Sequence, residues 1–144
     1  MKIYKLFMTE QAIQEKIFSS IKSQFEKAGL EISVLNRCID IAYLNADSEL
    51  ITIEIKLRDW RTALKQALDH QLYADRAYIY LPKPRRGEAS PKLIELLNEY
   101  GIGLVWFKFD GEGEGLSFEE LVVARKSLSY WPVARKKIES MLYA

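Results

Sequence analysis

The chain has 144 residues, 49% of them hydrophobic, and a formal net charge of +1. That length suits one core of ordinary size, and no run reaches the roughly 18 apolar residues of a membrane span. One cysteine excludes an internal disulfide framework and fits a reducing, cytoplasmic setting, while Met1 to Phe7 is too short and too charged for a signal peptide.

Thr9 can N-cap a first helix running to about Ala28, with Ile13, Ile17, Phe18, Ile21 and Phe25 as its apolar stripe and Gly29 ending it. Leu30 to Asn36 reads as a strand. Cys38 to Leu44 is a second, in which Cys38 is expected to be buried. Asn45 to Glu49 carries turn chemistry. In the third strand Ile51, Ile53, Ile55 and Leu57 alternate with Thr52, Glu54 and Lys56. Asp59 can N-cap a second helix, Trp60 to about Leu72, with Trp60, Leu64, Ala67, Leu68 and Leu72 inward. His70, the one histidine, reads as a surface or partly packed helix residue without a catalytic role.

Ala77 to Leu81 is a fourth strand, and Ser90-Pro91 opens a third helix as N-cap and first residue, closed by Gly101. Ile102 to Phe109 is a fifth strand. Asp110 to Gly115 is a flexible connection whose three acids would repel phosphate. Leu121 to Lys126 and Trp131 to Tyr143 look helical. Strands and helices alternating in this way predict an α/β fold, a mixed sheet flanked by helices, in a single domain with a core over about 9–109 and a helical extension over about 119–144.

The pattern with the most chemistry is Asp40, thirteen residues, then Glu54-Ile55-Lys56. If Leu44 pairs with Leu50 across the turn, Asp40 lies directly opposite Glu54, where cross-strand Cβ atoms are about 4.5–5.5 Å apart. Two carboxylates so placed can share a divalent cation. A slip of one residue would throw Asp40 to the other face. The plain alternative is a surface ion pair on an exposed sheet, which the apolar flanks of both strands oppose.

Arg37-Cys38-Ile39-Asp40 and Glu54-Ile55-Lys56 resemble the PD-(D/E)xK nuclease superfamily, in particular its small resolvase-like and DNA-endonuclease-like members, over roughly residues 9–108. The proline before the aspartate is replaced by Ile39. The resemblance implies a restriction-endonuclease-like core and a metal-dependent nuclease, acting on DNA. It assigns Mg²⁺, for which Mn²⁺ may substitute, to Asp40, Glu54 and the carbonyl of Ile55, and assigns orientation or activation of the attacking water to Lys56. It also implies a glutamate on the first helix, here Glu15 with Glu10 as competitor, and a glutamine on the second, Gln66, which a solvent-exposed role explains nearly as well.

Charge is unevenly spread. Residues 58–86 hold 7 basic against 3 acidic residues, beginning directly after Lys56. Arg58, Arg61 and Lys65, with Arg37 before the site and the loop residues Arg85 and Arg86, are candidate phosphate contacts; solvated surface charge is the alternative for each. A homodimer is expected from the size of the domain, with the tail aromatics Tyr130, Trp131 and Tyr143 as a possible contact. Intact Asp40, Glu54 and Lys56 favour an active enzyme over a catalytically inactive module of the same fold that binds nucleic acid or a protein partner.

Overall fold

The computed structural model describes residues 9–110, 115–128 and 131–142. Tyr130, Tyr143, Met1 to Phe7 and most of the Asp110–Gly115 connection lie outside them. The elements in chain order are α1 (Glu10–Gln24), β1 (Ala28–Val34), β2 (Arg37–Leu44), β3 (Leu50–Ile55), α2 (Trp60–His70), β4 (Arg76–Pro82), α3 (Pro91–Tyr100), β5 (Gly103–Asp110), β6 (Gly115–Val122) and α4 (Pro132–Ser140). The fold is a mixed α/β sheet flanked by helices.

Six strands lie in sequence order. β1, β2 and β3 form an antiparallel meander, β3, β4 and β5 run parallel, and β6 turns back antiparallel on β5. Two successive crossovers in the same direction put α2 and α3 on one face of the sheet, as the right-handed rule requires. Their side chains Ala63, Leu64, Ala67, Leu93 and Leu97 pack there on Ile79, Leu104 and Trp106. α1 covers the other face with Ile13, Ile17 and Ile21 against Ile41, Ile53 and Ile55. Each such side chain contributes about 1.5–3 kcal/mol by leaving water. All six residues of β3 are buried, as expected of a central strand.

The helix starts follow their sequence signals. Thr9 accepts from the Ala12 N–H, Asp59 from Thr62 and Ser90 from Leu93, and Pro91 stands in the first turn of α3. α3 stops at Gly101, whose φ of 76° favours a residue without a Cβ. α4 is tied down by Arg135, which meets the buried Asp75 carboxylate at 2.5 Å and donates to the Ser48 carbonyl. Asp75 also accepts from the Leu50 N–H at 2.8 Å, so one carboxylate joins the starts of β3 and β4 to the last helix.

Three expectations are corrected. The stretch Leu121–Lys126 is not helical: Leu121 and Val122 end β6, and 123–127 have no regular structure, so the extension after β5 begins with a strand. β6 is an edge strand, and its Glu119 and Glu120 are the kind of charge that blunts an edge. Cys38 is exposed at the start of β2, next to the exposed Arg37. His70 is buried, 2% exposed, on the inner side of α2.

Candidate active site

The geometry starts at the β2–β3 turn. Asn45 Oδ1 accepts from the N–H groups of Asp47 and Glu49, both at 2.9 Å, and the Asn45 N–H donates to the Glu49 carbonyl. That turn fixes Leu44 opposite Leu50, and the ladder runs in register to Ile41 opposite Ile53. One step further the same register sets Asp40 against Glu54, as the sequence predicts.

Here β2 and β3 part. Instead of backbone pairing, the Asp40 N–H donates to Glu54 Oε2 at 3.2 Å and the Ile55 N–H donates to Asp40 Oδ2 at 2.9 Å. β3 stays joined to β4, through Glu54 opposite Ile79 and the Lys56 N–H bonded to the Tyr80 carbonyl. The two carboxylates therefore sit at a fork in the sheet, each holding the other strand's backbone. On the far side of β2, the register places Glu31 opposite Asp40, with a left-handed φ of 52°. Backbone strain of this kind costs of order 1–3 kcal/mol and gathers at functional sites.

Glu54 is 1% exposed. Burial, first, and the neighbouring Asp40 charge, second, push its carboxyl up to about 8. Asp40 is also raised, mainly by burial, against the pull of the Ile55 N–H. Both shifts favour the protonated form: burial disfavours the charge first, and at Glu54 the neighbouring carboxylate adds to it. The two carboxyl groups also hydrogen-bond each other, sharing a proton across the fork.

Lys56 follows the end of β3. Its Nζ lies 3.9 Å from Glu10 Oε1, while Glu10 Oε2 accepts from the Leu57 N–H at 3.1 Å. Glu10 is thus the acid of α1 that reaches the strand end, one residue after the N-cap, where the helix dipole also favours it. Glu15 points to solvent on the outer side of α1. The first-helix glutamate expected at Glu15 is corrected to Glu10, because the turn of α1 nearest β3 is its first.

His70 was missed as a neighbour of the site. Its Nε2 lies 3.6 Å from Glu54 Oε2, too long for a hydrogen bond. Burial, and then the Arg37 charge, lower its pKa to about 4, so the ring is neutral beside a carboxyl that itself favours the neutral form. The signal was available in the spacing: Ala63, Ala67 and His70 fall at i, i+4 and i+7 on the buried stripe of α2. Gln66 stands one turn before His70, and its Oε1 is buried without a hydrogen-bond partner. His70 Nδ1 and Thr52 Oγ1 are buried and unpartnered too, with Thr52 on the Glu54 side of β3. Unmet polar atoms of this kind cost about 1–3 kcal/mol each and are common hosts for internal water.

The basic candidates are exposed. Arg37 pairs with Asp69 at 3.5 Å, and the Arg61 guanidinium lies 4.3 Å above the Trp60 ring. Arg58, Lys65, Arg85 and Arg86 face solvent. Arg58 and Pro84 line one cleft of about 190 Å³ at the C-terminal ends of the parallel strands, so the loop after β4 and the start of α2 form a common rim beside Lys56.

Among the described residues no three His, Cys, Asp or Glu side chains are grouped to cage a metal by themselves. The donor set nevertheless suits Mg²⁺, a hard cation usually held through one or two carboxylates with water completing its shell. Two carboxyl groups that meet at the fork, where a cation would replace the proton they share, fit that requirement.

No helix among the described residues is long and apolar enough to cross a membrane. No protein-family model matches the chain, and no curated protein matches it. A solved structure similar to it is the SPO1766 protein of unknown function from Silicibacter pomeroyi, 17% identical, covering 94% of this chain and 84% of that one with a TM-score of 0.62. That likeness establishes the shared α/β fold.

Proposed function

We propose that the chain is a metal-dependent nuclease that hydrolyses phosphodiester bonds in DNA. The observation that carries this reading is the fork between β2 and β3, where the buried carboxylate of Glu54 and the half-buried carboxylate of Asp40 meet and Lys56 follows at once. Asp40, Glu54 and the Ile55 carbonyl would hold Mg²⁺ or Mn²⁺. Such an ion, when bound, supplies charge neutralisation at a phosphoryl oxygen and a more acidic water.

The remaining work falls to the chain itself. Lys56 offers an ammonium at the strand end, 3.9 Å from Glu10, that orients the attacking water and offsets negative charge as it builds. Gln66 Oε1 is an acceptor without a protein donor, suited to a water near the site. Arg37, Arg58, Arg61, Lys65, Arg85 and Arg86 supply phosphate contacts that position nucleic acid without reading its sequence. A twofold dimer is part of the proposal: Leu72, Leu128, Trp131 and Val133 are exposed apolar side chains on the side of α4. A monomer by light scattering at micromolar concentration removes that part alone.

The test is Lys56→Ala on a panel of branched, mismatched, single-stranded and duplex substrates with Mg²⁺ or Mn²⁺. Cleavage should fall by about 10²–10³, with fold and metal binding retained. A wild-type protein that binds nucleic acid but cuts nothing on the panel is a binding module. One that neither binds nor cuts leaves Asp40, Glu54 and Lys56 as a structural ion network.

A further inference from the structure

We propose that the opposite face of the sheet carries a second site, a pocket of about 300 Å³ between the end of α1 and β6 that binds an organic ammonium group. Alternation places it away from the carboxylate fork: Tyr78 stands opposite Ile53 and Tyr80 opposite Ile55, on the α1 side, whereas Glu54 faces α2. The site is therefore independent of the nuclease reading.

Five aromatic rings wall it, those of Phe25, Tyr43, Tyr78, Tyr80 and Phe118. Phe25 and Tyr43 stack with centroids 4.6 Å apart, and Tyr80 meets Phe118 edge-on at 5.9 Å. Tyr78 lies over Gly103, where a Cβ would stand 2.3 Å from its ring, so the glycine makes the room this ring occupies. Such packing explains why the rings converge, and it leaves open space between them.

The charge at the pocket has one sign. Glu120 is the single carboxylate lining it, and no lysine or arginine does. Glu120 Oε2 accepts from the Tyr78 hydroxyl at 2.5 Å. Among the described residues the hydroxyls of Tyr43 and Tyr80 have no hydrogen-bond partner. Burial, with the Glu120 charge adding to it, raises the pKa of all three tyrosines, Tyr43 to about 12. The field of one carboxylate at all three hydroxyls places these polar groups around a common space, and the phenols stay neutral there.

Aromatic faces present negative quadrupole charge, and a carboxylate among them repels anions. A cation gains from both. Acceptors on Glu120, Tyr43 and Tyr80 further favour a cation with N–H donors over a fully methylated one.

The test is a ¹H–¹⁵N NMR titration of the full chain with n-butylammonium, tetramethylammonium and n-butanol. Butylammonium should give saturable shifts in the amides of β4 and β6 and bind more tightly than tetramethylammonium. Glu120→Gln, which keeps the Tyr78 contact, should weaken binding about tenfold or more. The double variant Tyr43→Phe with Tyr80→Phe should reduce the preference for butylammonium while keeping the rings, and a melting curve on each variant verifies folding. The same titration with Nα-acetyl-lysine methylamide and with spermidine distinguishes a partner's lysine from a free polyamine as the source. The proposal is overturned if n-butanol binds as well as butylammonium, if Glu120→Gln binds it unchanged, or if no saturable shift develops at tens of millimolar.

Discussion

Replacing Glu54 by glutamine should stabilise the metal-free protein at pH 8 while destroying its response to metal. The folded state holds the Glu54 proton up to about 8, whereas an unfolded glutamate releases it near 4.3. Between those values the native state binds more protons than the unfolded one, so stability falls as pH rises through that window. The stabilising contribution is complete below the unfolded pKa and lost above the folded one. At about 1.4 kcal/mol per unit the shift sets a ceiling of about 5 kcal/mol. Relaxation and water entry at a real buried site reduce this, and roughly 2–3 kcal/mol is the working figure. Glutamine keeps an oxygen for the Asp40 N–H and removes the charge. For a domain of this size, 2–3 kcal/mol corresponds to a rise of about 5–10 °C in melting temperature. Thermal unfolding by circular dichroism in chelator, at pH 5 and pH 8, measures it: the variant should melt above wild type at pH 8 and close to it at pH 5. His70 is neutral in the folded state but takes up a proton near 6.5 when unfolded, so it lowers stability toward pH 5 equally in both proteins and cancels only in the difference between variant and wild type. A difference in melting temperature between variant and wild type that is the same at pH 5 and pH 8 refutes the claim that Glu54 is held protonated in the folded state.

Asp40→Ala should abolish the heat of Mn²⁺ binding seen for wild type in calorimetry; identical responses from the two proteins remove Asp40 from the proposed centre. Arg58→Ala and Arg85→Ala should each weaken nucleic-acid binding and lower the slope of log K against log salt by about one, with the chemical step little changed. Asp75→Ala leaves Arg135 and the Leu50 N–H without their shared acceptor. Breaking a buried pair on one side costs about 3–5 kcal/mol, which urea unfolding would register as a lower midpoint at an unchanged slope.

Much of the site was legible because its geometry depends on parity and turn chemistry. Asn45 to Glu49 implies Leu44 opposite Leu50, and from there each step is fixed, so Asp40 must face Glu54. The capped helix starts were equally readable, since Thr9, Asp59 and Ser90 act within three residues of themselves. What escaped depends on distant packing. Whether Glu10 or Glu15 reaches β3 is decided by how α1 lies across the sheet. Cys38 has a strand residue's sequence surroundings but stands exposed near the strand's start. Leu121, Val122, Val123 and Ala124 form a short apolar run that strand and helix explain equally well, and only the pairing of β6 with β5 settles it. His70 was concealed by a second apolar stripe, since Trp60, Leu64 and Leu68 also follow a helical period.

The clasp between Arg135 and Asp75 also sets an order of events during synthesis. Asp75 sits in the middle of the chain and its cation 60 residues later. A nascent chain can thus assemble all six strands, with Asp75 already accepting from the Leu50 N–H, while this carboxylate's cation and the cover for the apolar bed that receives Ala134 and Ile138 still await α4. Until α4 docks, Asp75 lacks its cation and the apolar bed beside it stays uncovered.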